Sequence, residues 1–272
     1  MDDRLQRRVQ RYGWDLAAAH YETLWHKQLA GAQRALLARA ALRPGERVLD
    51  VACGTGLVTL AAARSVGPRG CVVGVDLSGV MVDSAARRAC AHGLGHTSFV
   101  RMDAEHLDLP DAGFDVVLCA LGLMYVPDPA QALREMRRVL RPGGRLVAAV
   151  WGERQACGWA GLFGVVDTEV SSQVCPLFFR LGAKDALARQ CEQAGFEAAD
   201  QHRISETLLY ADADEACDAA FIGGPVALAW SRFDDEVRAR VRARYLESIA
   251  AWRHGGGYRV PGEFVVVEAT RP

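Results

Sequence analysis

Val48-Leu49-Asp50-Val51-Ala52-Cys53-Gly54-Thr55-Gly56 is an apolar run that ends in a Gly-x-Gly turn. A second apolar run, Cys71–Val75, ends in Asp76, twenty residues after Gly56. This layout predicts a nucleotide pocket at the carboxyl edge of a parallel sheet. The glycines let the backbone approach a ligand closely, and the carboxylate can accept hydrogen bonds from both hydroxyls of a ribose.

Two residues around the turn indicate which nucleotide binds. A dinucleotide site has a third glycine where this chain has Thr59, and it directs a helix N-terminus at a pyrophosphate. Asp50 lies just before the turn, where its carboxylate would repel a pyrophosphate but would suit a cationic amino acid. S-adenosylmethionine (SAM) carries adenosine at one end, an ammonium and a sulfonium at the other, and no phosphate. Asp50 and Asp76 together therefore predict a SAM site and disfavour a dinucleotide oxidoreductase.

The composition disfavours several classes of protein. The chain has 272 residues and a formal net charge of -1, so we expect neither nucleic acid nor a membrane as a partner. No stretch of about 18 apolar residues predicts a membrane span, and the charged start, Met1–Arg4, lacks the apolar segment of a signal peptide. The eight cysteines form no Cys-x-x-Cys pair, which favours a cytoplasmic protein without a metal site. The sequence leaves the oligomeric state open.

Strands and helices alternate after a helical N-terminal region. Apolar residues at helical spacing predict helix over residues 1–41, which Arg43-Pro44-Gly45 ends. Five strands separated by helices or loops are predicted over residues 46–51, 71–76, 97–101, 114–119 and 145–150. Two later strands are predicted over residues 198–208 and 263–269. This alternation predicts an α/β fold with a doubly wound, mostly parallel sheet.

Two long stretches, residues 152–183 and 210–260, interrupt the alternation and hold many of the large aromatic residues, among them Trp159, Phe163 and Phe178. We expect most of these side chains to pack a helical cap onto the sheet. A few of them can line an apolar pocket for a second substrate.

A set of motifs follows in a fixed order along the chain: Val48–Gly56, Gly74-Val-Asp-Leu-Ser78, Met102-Asp-Ala-Glu105 with Leu109-Pro110, Phe114-Asp115, and Leu133-Arg-Glu-Met-Arg-Arg-Val-Leu-Arg-Pro-Gly-Gly144. The chain resembles the class I SAM-dependent methyltransferases, in particular the branch of ubiquinone/menaquinone-biosynthesis C-methyltransferases. The resemblance covers about residues 12–151, and its motifs are specific as a set.

The resemblance implies a seven-stranded, mostly parallel, Rossmann-like sheet with N-terminal helices and a helical cap inserted late in the chain. It implies a single methyltransferase domain over residues 1–272. Within that domain, residues 1–45 would form the N-terminal helices and residues 46–151 the SAM-binding core. Residues 152–260 would form the cap and the acceptor pocket, interleaved with the later strands.

The resemblance also implies which residues bind the methionine end of SAM. Four residues of the first strand and its turn would surround it: Asp50, Ala52, Gly54 and Gly56. Ala120 and Leu121, just after the fourth strand, would contact the methionine and face the acceptor. Tyr21, on the N-terminal helix, would lie over the methyl group.

The adenosine end would be bound by residues after the second and third strands. Asp76 would bind the ribose hydroxyls, and Leu77 and Met81 would flank the adenine. Asp103 would accept a hydrogen bond from the adenine amino group, with the Ala104 amide nearby. These roles follow from the resemblance, residue by residue.

The implied reaction moves the SAM methyl group by in-line displacement to a small apolar or aromatic acceptor at carbon, oxygen or nitrogen, leaving S-adenosylhomocysteine (SAH). The protein must hold the acceptor in line and exclude water. A base is required only where the acceptor must lose a proton. The catalytic candidates are His20, His26 and Tyr21 on the N-terminal helix, and His254 and Tyr258 late in the chain.

Two alternatives to this enzyme stay open. A SAM-binding sensor or partner subunit without turnover would carry the same motifs. A thiol- or metalloid-directed methyltransferase would use Cys157 and Cys175, which fall in the expected acceptor region. Conversion of SAM to SAH with some acceptor distinguishes an enzyme from a sensor.

Overall fold

The computed structural model describes residues 3–170 and 178–272. It begins with one long helix, α1 (Asp3–Ala40), which ends where Ala41 adopts a left-handed conformation with φ 42°. The second half of α1 buries Trp25, Leu29 and Leu36 at helical spacing. Across the two described ranges, no helix is both long and apolar enough to cross a membrane.

Parallel strands with connecting helices and loops follow α1. The elements in chain order are β1 (Arg47–Val51), α2 (Leu57–Val66), β2 (Cys71–Asp76), α3 (Gly79–Ala91), β3 (Thr97–Arg101), β4 (Phe114–Ala120), α4 (Pro129–Val139) and β5 (Leu140–Trp151). β1 pairs in parallel with β2 and β4, β2 pairs with β3, and β4 pairs with β5. These five strands therefore stand in the order β3-β2-β1-β4-β5, with their carboxyl ends along one edge.

The C-terminal part adds helices and two long antiparallel strands. The elements in chain order are α5 (Gly161–Asp167), α6 (Ala186–Gln193), β6 (Glu197–Tyr210), α7 (Ala213–Phe221), α8 (Ala227–Trp230), α9 (Asp235–Ser248), β7 (Arg253–His254) and β8 (Gly257–Thr270). β8 lies between β5 and β6 and is antiparallel to both, and the short β7 pairs with its start. The sheet order β3-β2-β1-β4-β5-β8-β6 confirms the predicted α/β class with a doubly wound, mostly parallel sheet.

The sheet has a hydrophobic core on each face, because successive strand residues point to opposite sides. In β1, Val48 packs in the core that contains Leu36 of α1 and Val58 of α2, whereas Leu49 packs in the larger core on the other face. In β4, Val116 and Val117 divide between the two cores in the same way. Because these strands are buried on both faces, their sequences are continuous apolar runs rather than alternating ones.

Two strands begin well before the residues at which the sequence predicts their starts. β5 begins at Leu140 rather than residue 145, because backbone hydrogen bonds to Arg271 hold the Arg141–Gly144 segment beside the residue that follows β8: the Arg271 N–H donates to the Gly144 carbonyl, and the Gly143 N–H donates to the Arg271 carbonyl, both at 2.8 Å. β8 begins at Gly257 rather than residue 263, since its pairing with β6 continues to Tyr258 opposite Tyr210. Both extensions depend on pairing between segments that are distant in sequence.

Candidate active site

A cleft with an empty volume of about 1030 Å³ lies at the carboxyl edge of the parallel strands. Residues at or just after the ends of five adjacent strands line it: Asp103 after β3, Asp76 on β2, Ala52 after β1, Ala120 on β4 and Trp151 on β5. The cleft therefore runs along the sheet edge from β3 to β5. α1 contributes a second wall through six side chains: Arg7, Gln10, Trp14, Tyr21, Trp25 and Leu29.

The turn after β1 has the backbone that its glycines predict. Gly54 and Gly56 have φ values of 53° and 84°, and Ala52 also has a positive φ of 58°. A Cβ at Gly122 would lie 2.3 Å from the Ala52 Cβ, so the missing side chain lets the loop after β4 approach this turn. Gly56 lets α2 pack against the turn, because a Cβ at Gly56 would lie 2.7 Å from Leu60 Cδ1.

Asp76 is fixed at the end of β2 by backbone donors. The Gly54 N–H donates to its Oδ2 at 2.8 Å, and the Ser78 N–H donates to its Oδ1 at 2.9 Å. Burial raises the pKa of this carboxyl, and the two hydrogen bonds oppose that shift. Each carboxylate oxygen can accept a second hydrogen bond, so Asp76 can still receive hydroxyl donors from a ligand in the cleft.

Asp50 is buried and does not line the cleft, whereas the next two residues, Val51 and Ala52, do. The Thr59 hydroxyl donates to its Oδ2 at 2.5 Å, which gives the threonine at this position a structural role. Oδ1 is buried and has no hydrogen-bond partner within residues 3–170 and 178–272. Burial raises the pKa of Asp50 to about 7. An unpartnered buried carboxylate fits a site whose ligand brings positive charge, since a cation in the cleft would favour its ionised form.

Ion pairs from α1 close the β3 end of the cleft. Arg7 Nε lies 2.6 Å from Glu105 Oε2 and 3.0 Å from Asp103 Oδ2. Glu105 is buried, and its second oxygen accepts the Asp128 N–H at 2.9 Å. These contacts tie the start of α1 to the loop after β3, where the sequence predicts adenine contacts.

Aromatic rings from α1 and from the loop after β4 cover the middle of the cleft. Trp14 packs edge-on against Tyr21 and Tyr125, with ring centroids 5.8 Å and 5.0 Å apart. A Cβ at Gly54 would lie 3.8 Å from Tyr21 Cε1, so the Tyr21 ring lies over the turn after β1. Burial raises the pKa of both tyrosines above the usual range, so both phenols stay neutral near pH 7.

The β5 end of the cleft is apolar, and we call it the tryptophan end. It consists of Trp25, Leu29, Trp151, Trp159 and Pro225, all of which line the cleft. The Trp151 ring centroid lies 4.7 Å from that of Trp159 and 6.2 Å from that of Trp25, in edge-on contacts. These five side chains carry no ionisable group, so this end suits a neutral, flat ligand.

Ten of the twelve predicted cofactor residues line the cleft: Tyr21, Ala52, Gly54, Asp76, Leu77, Met81, Asp103, Ala104, Ala120 and Leu121. Asp50 and Gly56 are not among the lining residues. The structure does not bring His20 or His26 to the cleft, and both are exposed. The cleft-facing positions of α1 are 7, 10, 14, 21, 25 and 29, a helical series that excludes both histidines.

The later candidates also lie away from the cleft. His254 on β7 and Tyr258 on β8 are not among its lining residues. Cys157 is buried outside the lining as well, and burial raises the pKa of its thiol to about 11. Cys175 falls outside the residues that the structure describes.

Sequence reasoning missed several lining residues. Trp25 continues the helical series of Tyr21 and Leu29, and this periodicity is the signal that could have found it. Trp151 is the last residue of β5, so its position at a strand end could have marked it. Pro225 reaches the cleft from the segment between α7 and α8, and no local pattern indicates that.

Known proteins share this organisation. The family model described as a methyltransferase domain matches residues 48–144. The ubiquinone/menaquinone biosynthesis C-methyltransferase UbiE of Pseudomonas paraeruginosa is 33% identical over 216 residues, which cover 79% of this chain and 80% of the relative. The UbiE protein of Hahella chejuensis is 42% identical over 134 residues, which cover 49% of this chain and 51%, about half, of that relative.

Solved structures share the fold at lower identity. The [4+2]-cyclase SpnF is 24% identical with a TM-score of 0.62, covering 91% of this chain and 82% of its own. The YcgJ protein of Bacillus subtilis is 18% identical with a TM-score of 0.63, and the match covers 89% of this chain and 98% of the YcgJ chain. At these identities the likeness shows the fold alone. The match to the Pseudomonas relative shows the family: the chain belongs to the class I SAM-dependent methyltransferases, in the branch of ubiquinone/menaquinone-biosynthesis C-methyltransferases, and SAM is its cofactor.

Proposed function

We propose that this methyltransferase moves the SAM methyl group to a ring carbon of a small, neutral aromatic acceptor of the quinol type. The observation that carries the proposal is the tryptophan end of the cleft, whose rings offer flat apolar surfaces next to the loop after β4. The names of the Pseudomonas and Hahella relatives, which describe C-methylation in quinone biosynthesis, support a quinol over other aromatic acceptors.

We propose that the adenosine of SAM lies at the β3 and β2 strand ends. Asp76 would accept from the ribose hydroxyls, because its oxygens are fixed by backbone donors and each can take one more hydrogen bond. Asp103 and the Ala104 amide would contact the adenine edge, and Leu77 and Met81 would flank its ring. The ion pair of Arg7 with Asp103 supports a role for α1 in closing this end.

The methionine end of SAM would lie at the turn after β1, against Ala52 and Gly54, with Ala120 and Leu121 on the β4 side. The unpartnered oxygen of Asp50 supports this orientation, since the ammonium would offset a buried negative charge. Gly56 would act indirectly, by allowing α2 to pack behind the turn.

SAM, when bound, supplies a methyl group on a sulfonium that is already a good leaving group. The chain would hold the acceptor ring against the indole rings and exclude water, and such positioning can supply roughly 7–11 kcal/mol. Tyr21, held over the turn after β1 and neutral, would act as a wall and hydrogen-bonding group rather than as a base. Among the described residues, no histidine lines the cleft, which favours an acceptor activated by its own ionisable hydroxyl.

The other two functions that the sequence left open receive less support. The named relatives are enzymes, which argues against a sensor without turnover. Cys157, the described member of the cysteine pair, does not line the cleft, and its raised pKa keeps the thiol protonated and a poor metalloid ligand.

The test is an assay of the purified protein with SAM and 1,4-naphthohydroquinone, kept reduced. We expect SAH and, after oxidation, 2-methyl-1,4-naphthoquinone, both identified by mass spectrometry. As a control, 2,3-dimethyl-1,4-naphthohydroquinone has both ring positions blocked and should give no SAH, whereas methylation at oxygen would still consume it. Folded protein that binds SAM but forms no SAH with the unblocked quinol would contradict the proposal.

A further inference from the structure

Two buried hydrogen-bond donors at the tryptophan end have no partner. Trp25 and Trp159 are only 6% and 3% exposed, and both rings line the cleft. The Nε1–H of each ring is buried, and neither has an acceptor within residues 3–170 and 178–272. Buried donors in native proteins are almost always paired, because an unpaired one loses its hydrogen bonds to water without replacement. Two such donors in one cleft require an explanation.

Packing holds these two rings in place. Their centroids lie 6.4 Å apart with an interplanar angle of 75°, and Trp151 contacts both. Phe163 packs on Trp159 at 5.7 Å from the other side. The rings are therefore preorganised, so a ligand that meets their N–H groups spends little free energy on ordering them.

The Trp25 donor lies beside the segment that closes this end of the cleft. A Cβ at Gly223 would lie 3.2 Å from Trp25 Nε1, and the next two residues, Gly224 and Pro225, both line the cleft. The same Cβ would lie 2.8 Å from Leu24 Cδ1, so a larger residue at this position would not fit against α1 without moving it.

We propose that the Nε1–H groups of Trp25 and Trp159 donate hydrogen bonds to oxygen atoms of the aromatic acceptor and thereby select oxygen-bearing rings over hydrocarbon rings of the same shape. An indole nitrogen is a donor only, so its partner must be an acceptor atom on the ligand. The remaining walls, Leu29, Trp151 and Pro225, add no charge, so the ligand oxygens are neutral carbonyl or hydroxyl groups. This inference rests on the proposed function, and it names the residues that would select the substrate class.

The probes are 1-tetralone, which has one ring carbonyl, and tetralin, the same bicycle without oxygen, each titrated into protein saturated with SAH. We expect wild-type protein to bind tetralone about three- to tenfold more tightly than tetralin, the usual worth of a hydrogen bond. In ¹H–¹⁵N spectra, the indole N–H resonance of Trp25, Trp159 or both should move downfield with tetralone and not with tetralin.

Three variants distinguish the effect of the indole N–H hydrogen bond from the effect of ring packing. Trp25→Phe and Trp159→Phe keep an aromatic surface and remove the donor, and at least one should abolish the preference for tetralone over tetralin. Trp230→Phe is the matched control, because Trp230 stacks on Phe221 at 4.5 Å and does not line the cleft. It should retain the full preference. The spectra of wild-type protein keep the test valid if one variant fails to fold.

The inference is overturned if wild-type protein binds the two probes equally, binds neither, or keeps its preference in both Phe variants. Failure of the proposed function gives a different pattern. A preference lost in the Phe variants, together with no turnover of 1,4-naphthohydroquinone, would retain the indole site and remove the quinol assignment. Turnover of the quinol with an unchanged preference would retain the function and remove the indole site.

Discussion

At the scale of single residues, Asp76 is the side chain on which cofactor affinity should depend most. The Asp76→Asn substitution removes the charge that strengthens hydrogen bonds from ribose hydroxyls. We expect SAH affinity to fall by about 10- to 100-fold, corresponding to about 1.5–3 kcal/mol. Isothermal titration calorimetry measures this, with Asp83→Asn, an exposed position on α3, as the control. Unchanged affinity in folded Asp76→Asn protein would show that the ribose is bound elsewhere.

Asp50 should make stability depend on pH. Its pKa is about 7 in the folded protein, because of burial, and about 4 when unfolded. Between these values the folded state binds more protons than the unfolded state, so stability falls as pH rises from about 4 to 7 and levels off above. In urea unfolding without ligand, the stability of Asp50→Asn relative to wild type should increase by a few kcal/mol between pH 4 and pH 8. A difference that does not change with pH would contradict this.

Gly122 should tolerate no side chain, because a Cβ there would lie 2.3 Å from the Ala52 Cβ and neither methyl can rotate away. Gly122→Ala should therefore move the loop after β4, cost about 1–3 kcal/mol of stability and weaken SAH binding. Gly164→Ala is the control, since a Cβ in that helix meets nothing within 4 Å. Equal stability of the two variants would mean that the loop and the turn are further apart.

Apart from Tyr21 on α1 and Met81 on α3, the cofactor residues that the sequence predicts lie at or beside strand ends. Asp76 and Ala120 could be predicted because an apolar run shows where a strand stops. The tryptophan end could not be predicted as a unit, since Trp25, Trp151 and Trp159 come from a helix, a strand and a short turn that meet only through tertiary packing. His20 and His26 were predicted on the N-terminal helix, but the side of that helix that faces the cleft is set by tertiary packing, which the sequence does not show.

At the scale of elements, the first half of α1 depends on Arg7. Removing its charge leaves Glu105, which is buried, without its cation. We expect Arg7→Met to raise hydrogen–deuterium exchange over residues 3–16 and to leave the rest of the helix protected. Arg8→Met, at an exposed position on the same turn, is the control. Equal exchange in the two variants would show that the ion pair does not hold the helix.

Element boundaries can be predicted where local signals exist. Ser78 and Asp128 cap α3 and α4 through hydrogen bonds to the N–H groups of Met81 and Gln131, and such residues can be read from sequence. The true starts of β5 and β8 have no local signal. They are set by Arg271 and by the partner strand β6, which join the sheet from far along the chain.

At the scale of the whole molecule, ligand binding should raise thermal stability. SAH at 100 times its dissociation constant should raise the free energy of unfolding by about 2.7 kcal/mol, because it binds only the folded state. For a chain of this size we expect the melting temperature to rise by roughly 5–10 °C. Differential scanning fluorimetry measures the shift, and Asp76→Asn at the same SAH concentration should show a smaller one. An equal shift in both proteins would place the stabilising contacts elsewhere.

α1 is one continuous helix that contacts both ends of the cleft, through Arg7 near β3 and through Trp25 at the tryptophan end. A ligand that orders this helix from one end reduces the entropy cost for a ligand at the other. The two ligands should therefore bind with positive heterotropic cooperativity. Thermodynamic linkage makes the effect reciprocal, so the acceptor must raise cofactor affinity by the same factor by which the cofactor raises acceptor affinity.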